Sequence, residues 1–594
     1  MLKARLRYLL PAVVVLLMGF CSVPSAFSQY APGGPVLKGT VKSSDGKAME
    51  GVTVSIRGEG KSFVTTVYTD AQGAYYFPPL EKGKFKLWAQ AVGFQGVKLD
   101  IDITSQTQQV ATIDLKPLSD VKEITKQLTG AEFLASIPDT DPSDLRMKEI
   151  FTANCTGCHQ SNYLLQNRLD ANGWRAIINV MTKIRTEGYV PEKPNIDPVM
   201  EAYKDEIAEY LGKVRGPNST FSPKIYPRPS GESTKIVITE FDLPRPEDSP
   251  SVLRFDGSDW SQGTPSRYAG RASHDVALDR DGNVWFADDL VPGRTFGKLD
   301  PRTGIVTAYA YPMKEGYATD THTIFASPDG MTMWSGSGNA PGEGVFLSYD
   351  IETGKFKRYP APPGMGRIGN SVSVDSKGNV WGGTQNGVLK LVPATGEYTF
   401  YKALHPGGTY GVSIDAKDQA WTAFTGNDKY EVVDQAGNIS EAVLPPVESD
   451  LSNDKDRDLA SRIHLGPNSM TPAQKGPRRM GGDLNGHYLW SGEYQADELA
   501  RIDINTKEVK EYPVPERWTM PYKISVDKNH MVWINLDGTD GFLKFNPDTE
   551  KFTQYQLPTR GSETRYIQVD NTTTPPTVWI PYDRVNKIAR IQMR

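Results

Sequence analysis

The stretch Cys155-Thr156-Gly157-Cys158-His159 holds the residues of this chain best suited to chemistry. Two thiols one helical turn apart, followed at once by an imidazole, have the spacing at which a porphyrin is stitched to a peptide. Each thiol adds across one vinyl group, and the histidine then stands under the iron. The expectation is one covalent haem c, with Cys155 and Cys158 as thioethers and His159 as the proximal iron ligand, and therefore a role in moving electrons. A structural zinc site needs four ligands, and the only other cysteine, Cys21, lies in a segment read as removed. A thioredoxin-like dithiol needs a βαβ setting, which the flanks do not offer.

The amino terminus agrees with covalent haem. Lys3, Arg5 and Arg7 precede an apolar run from Leu9 to Phe20, and Ala26-Phe27-Ser28 offers small residues where a signal peptidase reads them. The run is short for a membrane span. Residues 1–28 are read as a cleaved secretory signal, placing the mature chain in the periplasm with no transmembrane anchor. Bulky Phe20 argues against lipid attachment at Cys21. The exported chain then has no disulfide pair and must hold together by burial, which its 594 residues allow. The net charge of −5, from 66 basic and 71 acidic residues, comes without a basic cluster and excludes nucleic acid as a partner.

The elements that must carry the pentapeptide are helical. From about Ser143 the apolar positions recur at helical spacing, with Leu145 and Phe151 ahead of the cysteines. Asp170 to Arg185 reads as a helix with Trp174, Ile177, Ile178 and Met181 on one stripe. Asp197-Pro198 opens another, with Val199, Tyr203, Ile207, Tyr210 and Leu211 inward. Residues 143–214 thus form a small all-α bundle that resembles a monohaem cytochrome c domain. A thioether as sixth ligand raises a haem potential. The Trp174-to-Met181 segment is similar to the Trp-to-Met helix of small cytochrome domains attached to quinoprotein-type dehydrogenases. That resemblance implies Met181 as distal ligand, with Met200 as runner-up and water if both methionines are core residues. Polar stretches 118–142 and 215–234 read as linkers, the first with room for a short helix.

Ahead of the bundle, residues 35–117 alternate with period two and break at Asp45-Gly46 and Gln72-Gly73, as a β-sandwich does. The run Thr69-Asp70-Ala71-Gln72-Gly73-Ala74-Tyr75-Tyr76-Phe77, with Gly83-Lys84-Phe85-Lys86-Leu87 and Gly93-Phe94, resembles the carboxypeptidase regulatory-like domain. The resemblance implies a non-catalytic spacer or docking module.

Residues 235–594 are a repeat array. Asp279-Arg280-Asp281-Gly282-Asn283-Val284-Trp285 recurs as Asp375-Ser376-Lys377-Gly378-Asn379-Val380-Trp381, and Asp300-Pro301-Arg302-Thr303-Gly304 recurs as Asp350-Ile351-Glu352-Thr353-Gly354. Tryptophans at 285, 334, 381, 421, 490, 533 and 579 mark seven units, mostly of 40 to 49 residues, the length of a propeller blade. The 69-residue gap from Trp421 to Trp490 holds an insertion, about 446–478. The strand from Ile236 to Leu243 supplies the fourth strand of the last unit and closes the ring. The fold class expected is multidomain and mainly β: N-terminal β-sandwich, small all-α cytochrome c domain, C-terminal seven-bladed β-propeller.

Inner strands line a propeller's shaft. Counting five back from the repeated aspartate places His274, His322, Asn370, Tyr410, Arg479, Tyr522 and Arg565 around it, a set suited to a small polar or anionic ligand. The repeat resembles the streptogramin B (virginiamycin B) lyase-like propellers. Under that resemblance His274 and His322 match catalytic histidines and Asp320 stands for a carboxylate beside a magnesium ion. The family's Glu-x-His is absent from the chain.

Three functions follow. The first is an exported electron carrier that is a component or partner of a periplasmic dehydrogenase, exchanging electrons with a redox partner protein while the propeller binds substrate or partner. The second is a metal-dependent C–O lyase. The third is a carbohydrate or cell-envelope binding module. Within an oxidoreductase the chain is an electron-transfer component; the sequence does not name a reaction.

Overall fold

The computed structural model describes residues 36–104, 109–157, 160–183, 192, 196–244, 257–264, 273–288, 294–311, 321–337, 344–365, 368, 371–405, 407, 409–447, 451–462, 469–472 and 474–594. The expected signal segment, Cys158, His159, Asp320 and Asn370 lie outside these residues.

Two sheets make the N-terminal sandwich. One orders the strands Ala74–Tyr76, Leu37–Ser43, Gln109–Pro117 and Phe94–Gln95; the other orders Phe63–Tyr68, Thr53–Gly58, Gly83–Gln90 and Val97–Ile103. Alternating Val41, Val52, Val54, Val67 and Leu87 fill the space between them.

Seven four-stranded antiparallel sheets follow, and they are the propeller blades. We number them from the inner strands Ser273–Leu278 (blade 1), Phe325–Ala326 (2), Val372–Val374 (3), Val412–Ile414 (4), Pro477–Gly482 (5), Pro521–Val526 (6) and Gln568–Asp570 (7). Blade 7 is completed by Ile236–Asp242, which pairs with Lys587–Met593 from Lys587↔Asp242 to Met593↔Ile236. That closing strand is not a free edge. Its other side pairs with Phe63–Tyr68 of the sandwich, from Phe63↔Phe241 to Val67↔Val237, so one eight-stranded sheet runs through both modules. Pairing both edges removes a template for misassociation.

The repeated phrase has a physical reason. Asp279, Asp375, Asp415 and Asp527 each take backbone N–H groups two and four residues on. Each also accepts the indole N–H of the tryptophan six residues on, at 2.7–3.0 Å. The aspartate thereby ties a turn to a buried indole in four blades, and the tryptophans are packing residues.

Between sandwich and propeller lie helices α1 (Val121–Lys126), α2 (Gly130–Ser136), α3 (Pro142–Cys155), α4 (Ser161–Leu165), α5 (Ala171–Met181) and α6 (Pro198–Arg215). Asp141, Asp170 and Asp197 cap α3, α5 and α6, and prolines open α3 and α6. The inward positions expected on α6 are all buried. The expected stripe on α5 divides. Trp174 and Ile178 are buried, whereas Ile177 and Met181 are 40% and 37% exposed, because α5 meets α6 along a narrow face where Ala171 crowds Gly212.

Both presumed linkers are structured. In 118–142, Thr129 and Glu132 form a capping box, and Leu128, Phe133 and Leu134 join the helical core. In 215–234, Phe221 packs on Phe133 while Arg215 lies 4.5 Å over the Phe221 ring. The insertion carries a seventh helix, α7 (Asp454–Arg462). Its charged run is not merely solvated. Asp456 is fully buried against α3 and α6, taking Arg146 through both oxygens (2.7 and 2.6 Å) and the Tyr203 hydroxyl (2.6 Å). Burial works against the Asp456 charge, yet the bonds from Arg146 and Tyr203 hold its carboxyl below the usual range. Among the described residues, no helix is long and apolar enough to cross a membrane.

Candidate functional site

Helix α3 delivers Cys155 at its last turn, half-buried, and Thr156 is its C-cap. The turn that follows rests on the channel mouth. The Thr156 hydroxyl donates to the Thr152 carbonyl (2.6 Å) and lies 3.4 Å from both the Tyr494 hydroxyl and the Met520 sulfur. The Gly157 carbonyl accepts from Arg565 at 2.8 Å, and the Gln160 amide donates to the Asp537 carbonyl at 3.3 Å. Three blades therefore hold one turn: blade 5 through Tyr494, blade 6 through Met520 and Asp537, blade 7 through Arg565.

These holding groups are themselves held. The Tyr494 hydroxyl donates to Asp537 at 3.0 Å. Arg565 donates to Glu563 (2.7 Å) and stands 3.7 and 3.5 Å from Asp537 and Asp583; Arg584 pairs with Glu563 (2.8 Å) and Asp583 (3.3 Å). All are buried. Burial lifts the Asp537 carboxyl to about 6, with Arg565 opposing it.

Deeper in the shaft the register residues gather in contacting pairs. The Tyr410 and Tyr522 hydroxyls are hydrogen-bonded. Arg478 lies over the rings of Tyr494, Tyr410 and Tyr522 at 4.2, 4.9 and 5.5 Å. Burial would raise the Tyr410 hydroxyl, but the guanidinium charges of Arg478 and Arg479 overcome it and pull it down. Burial, reinforced by Arg479, lowers the Lys523 ammonium to about 7. The rings of His274 and His322 lie 3.9 Å apart, and His274 Nδ1 is 2.7 Å from Asp275.

The residues that the register count missed fall into two groups. Asp275 and Arg478 neighbour register positions. Tyr494, Asp537 and Asp583 each stand four residues after a blade tryptophan, at the end of the second strand, so the repeat itself carried the signal.

Two cofactors implied by the sequence can be tested against these residues. Around the histidines the described carboxylate is Asp275, and Arg479 Nη1 engages both its oxygens at 2.8 and 2.7 Å. A hard cation wants free carboxylate oxygens, so this described donor set does not fit magnesium. Among the described residues the one clustered set of three acidic groups, Glu493, Glu498 and Glu511, lies elsewhere, and the Lys475 ammonium is 2.6–3.9 Å from all three. The haem fits better. Cys155 ends α3, and α5 presents Ile177, Val180 and Met181 as a partly exposed apolar face of the kind a porphyrin covers. Trp174 Nε1 and Gln160 Oε1 are buried with no hydrogen-bond partner. Met200 is only 9% exposed, within the helical core.

Residues 36–116 match the carboxypeptidase regulatory-like domain family. No curated protein matches the chain. A streptogramin B lyase structure is similar over 61% of this chain and 100% of that one, at 19% identity and a TM-score of 0.46. A virginiamycin B lyase from Staphylococcus aureus is similar over 60% of this chain and 100% of its own, at 15% identity and 0.46. The extracellular domain of a hybrid two-component system from B. thetaiotaomicron aligns over 54% of this chain and 40% of that one, at 16% identity and 0.38. The propeller assignment rests on the strand pairing of this chain.

Proposed function

We propose that the chain is an exported, periplasmic monohaem c-type cytochrome that transfers electrons as a component or partner of a dehydrogenase, with the propeller mouth receiving the donor. The observation that supports this reading is the bond from Arg565 to the Gly157 carbonyl, with Tyr494 beside Thr156, which sets the turn after α3 over a polar shaft. Cys155 and Cys158 would hold the haem and His159 its iron, with Met181 or Met200 opposite. The group would supply a one-electron acceptor there.

The chain's own residues do the rest. Arg565, fixed by Glu563, Asp537 and Asp583, holds the attachment turn in place. The insertion helix, through Asp456, clamps α3 and α6 over the mouth. Tyr410 and Tyr522, with Arg478 across their faces, present hydroxyls and positive charge to whatever enters the shaft. A docked electron-donor protein and a small polar donor use the same mouth.

Anaerobic reduction of the purified protein by a panel of candidate donors tests the reading. Reduction that saturates with donor and weakens in Tyr410→Ala supports it; reduction linear in donor and indifferent to Tyr410 rejects a role for the mouth. Met181→Ala and Met200→Ala assign the sixth ligand, since only the ligating residue alters the sulfur-to-iron absorption when removed.

A further inference from the structure

A second cleft lies away from the shaft, where sandwich, helices and propeller meet. It has a volume of about 260 Å³ and is lined by Gln90 of the sandwich, Tyr226 and Arg228 of the strap after α6, and Glu516, Thr539 and Gln554 of the propeller. We propose that this junction is a binding site for a single-ring, uncharged, hydroxyl-rich ligand of the monosaccharide class.

Three observations support that class. First, the cleft is built from side chains with unused hydrogen-bonding capacity. Gln90 and Thr539, both buried, turn towards this cleft among its lining residues. Asp540 Oδ2, also lining the cleft, is buried without a hydrogen bond. Buried polar groups of this kind are satisfied by partners, and several neutral donors and acceptors around one small space suit several hydroxyls.

Second, the charges offset one another. Asp540 accepts from Ser562 (2.8 Å) and faces Arg560 at 3.9 Å. Glu132 is spent on the α2 capping box and on the Tyr226 amide (3.0 Å). That leaves one guanidinium, Arg228, whose Nε donates to the Glu50 carbonyl, and one carboxyl, Glu516, bonded to Gln554 at 2.7 Å. A charged ligand would leave one of the two uncompensated, whereas a neutral one uses both.

Third, the size and walls agree. The volume falls just under the range of roughly 300–1,000 Å³ of pockets for drug-sized ligands, and the Tyr226 and Tyr555 rings give the space apolar sides. All three modules contribute, so a bound ring would bridge them.

The test uses the full-length protein titrated calorimetrically with glucose, galactose, xylose and N-acetylglucosamine. The proposal expects saturable binding of at least one sugar. It also expects affinity to fall at least about tenfold in both Glu516→Ala and Gln554→Ala, with the circular dichroism spectrum unchanged. No saturable binding of any of the four overturns it, because the cleft then holds water alone. Binding that both variants retain also overturns it, because the sugar then sits elsewhere. Neither result depends on whether the protein carries haem.

Discussion

The Asp-to-Trp turns and the channel mouth both recur once per blade, yet they obey opposite rules. At the turns the same two residues do the same work in blades 1, 3, 4 and 6. Along the channel one register position is histidine in blades 1 and 2, tyrosine in 4 and 6, and arginine in 5 and 7. The partners differ as well: the histidines meet ring to ring, the tyrosines hydroxyl to hydroxyl, Arg479 takes a carboxylate and Arg565 the Gly157 carbonyl. Identity across these four blades marks a scaffold solving one packing problem repeatedly, and difference marks where the ring meets something without sevenfold symmetry. The helical segment is that asymmetric object, and it leans on blades 5 to 7.

Substitutions can break this contrast. The largest effect belongs to Asp456→Ala, which strips the Tyr203 hydroxyl of its acceptor and leaves the buried Arg146 with Glu206 alone. A broken buried ion pair costs about 3–5 kcal/mol, and the expected outcome is loss of hydrogen-exchange protection in α7, α3 and α6 with the blades unchanged. Next is Asp415→Ala, which leaves the buried Trp421 indole N–H unpaired. At about 1–3 kcal/mol it lowers protection in blade 4 alone and leaves the mouth intact; a change at the mouth would erase the distinction between scaffold and site.

Lys523 gives a pH test. Its ammonium, held near 7, binds its proton less readily in the folded chain than in the unfolded one. The stability it contributes is full above the ordinary lysine value and is lost as pH falls through about 7. Between pH 7 and 10 the wild type should gain stability with a slope of up to roughly one proton. Lys523→Met should flatten that slope, as read from denaturant midpoints at stepped pH. The smallest effect is that of Tyr494→Phe, which removes one hydroxyl from Thr156 and Asp537 at about 0.5–1.5 kcal/mol. A shift in haem midpoint potential without loss of fold is the outcome expected.

Much of this was legible in the sequence where one physical demand repeats. The tryptophan-marked blades and the closing strand follow from periodicity, because one packing demand recurs around the ring. The Thr129-x-x-Glu132 box shows why polar composition gave 118–142 room for a short helix but not its place in the core: capping residues are polar while the turn they start is buried. The α5 stripe divides because Trp174 and Ile178 face the helical core while Ile177 and Met181 stay partly exposed. The docking of the turn after α3 on the channel had no local signature. Arg565 and Gly157 are 408 residues apart, and nothing near either foretells the other.

The measurement that bears most directly on the account is iron, absorbance and intact mass on the exported protein, made in cells that attach haem to periplasmic chains. The account predicts one iron porphyrin per chain, resistant to acid extraction and recovered on the peptide that contains Cys155 and Cys158. A colourless protein with both thiols free and no iron would contradict it, leaving a propeller whose mouth is capped by helices for some other purpose.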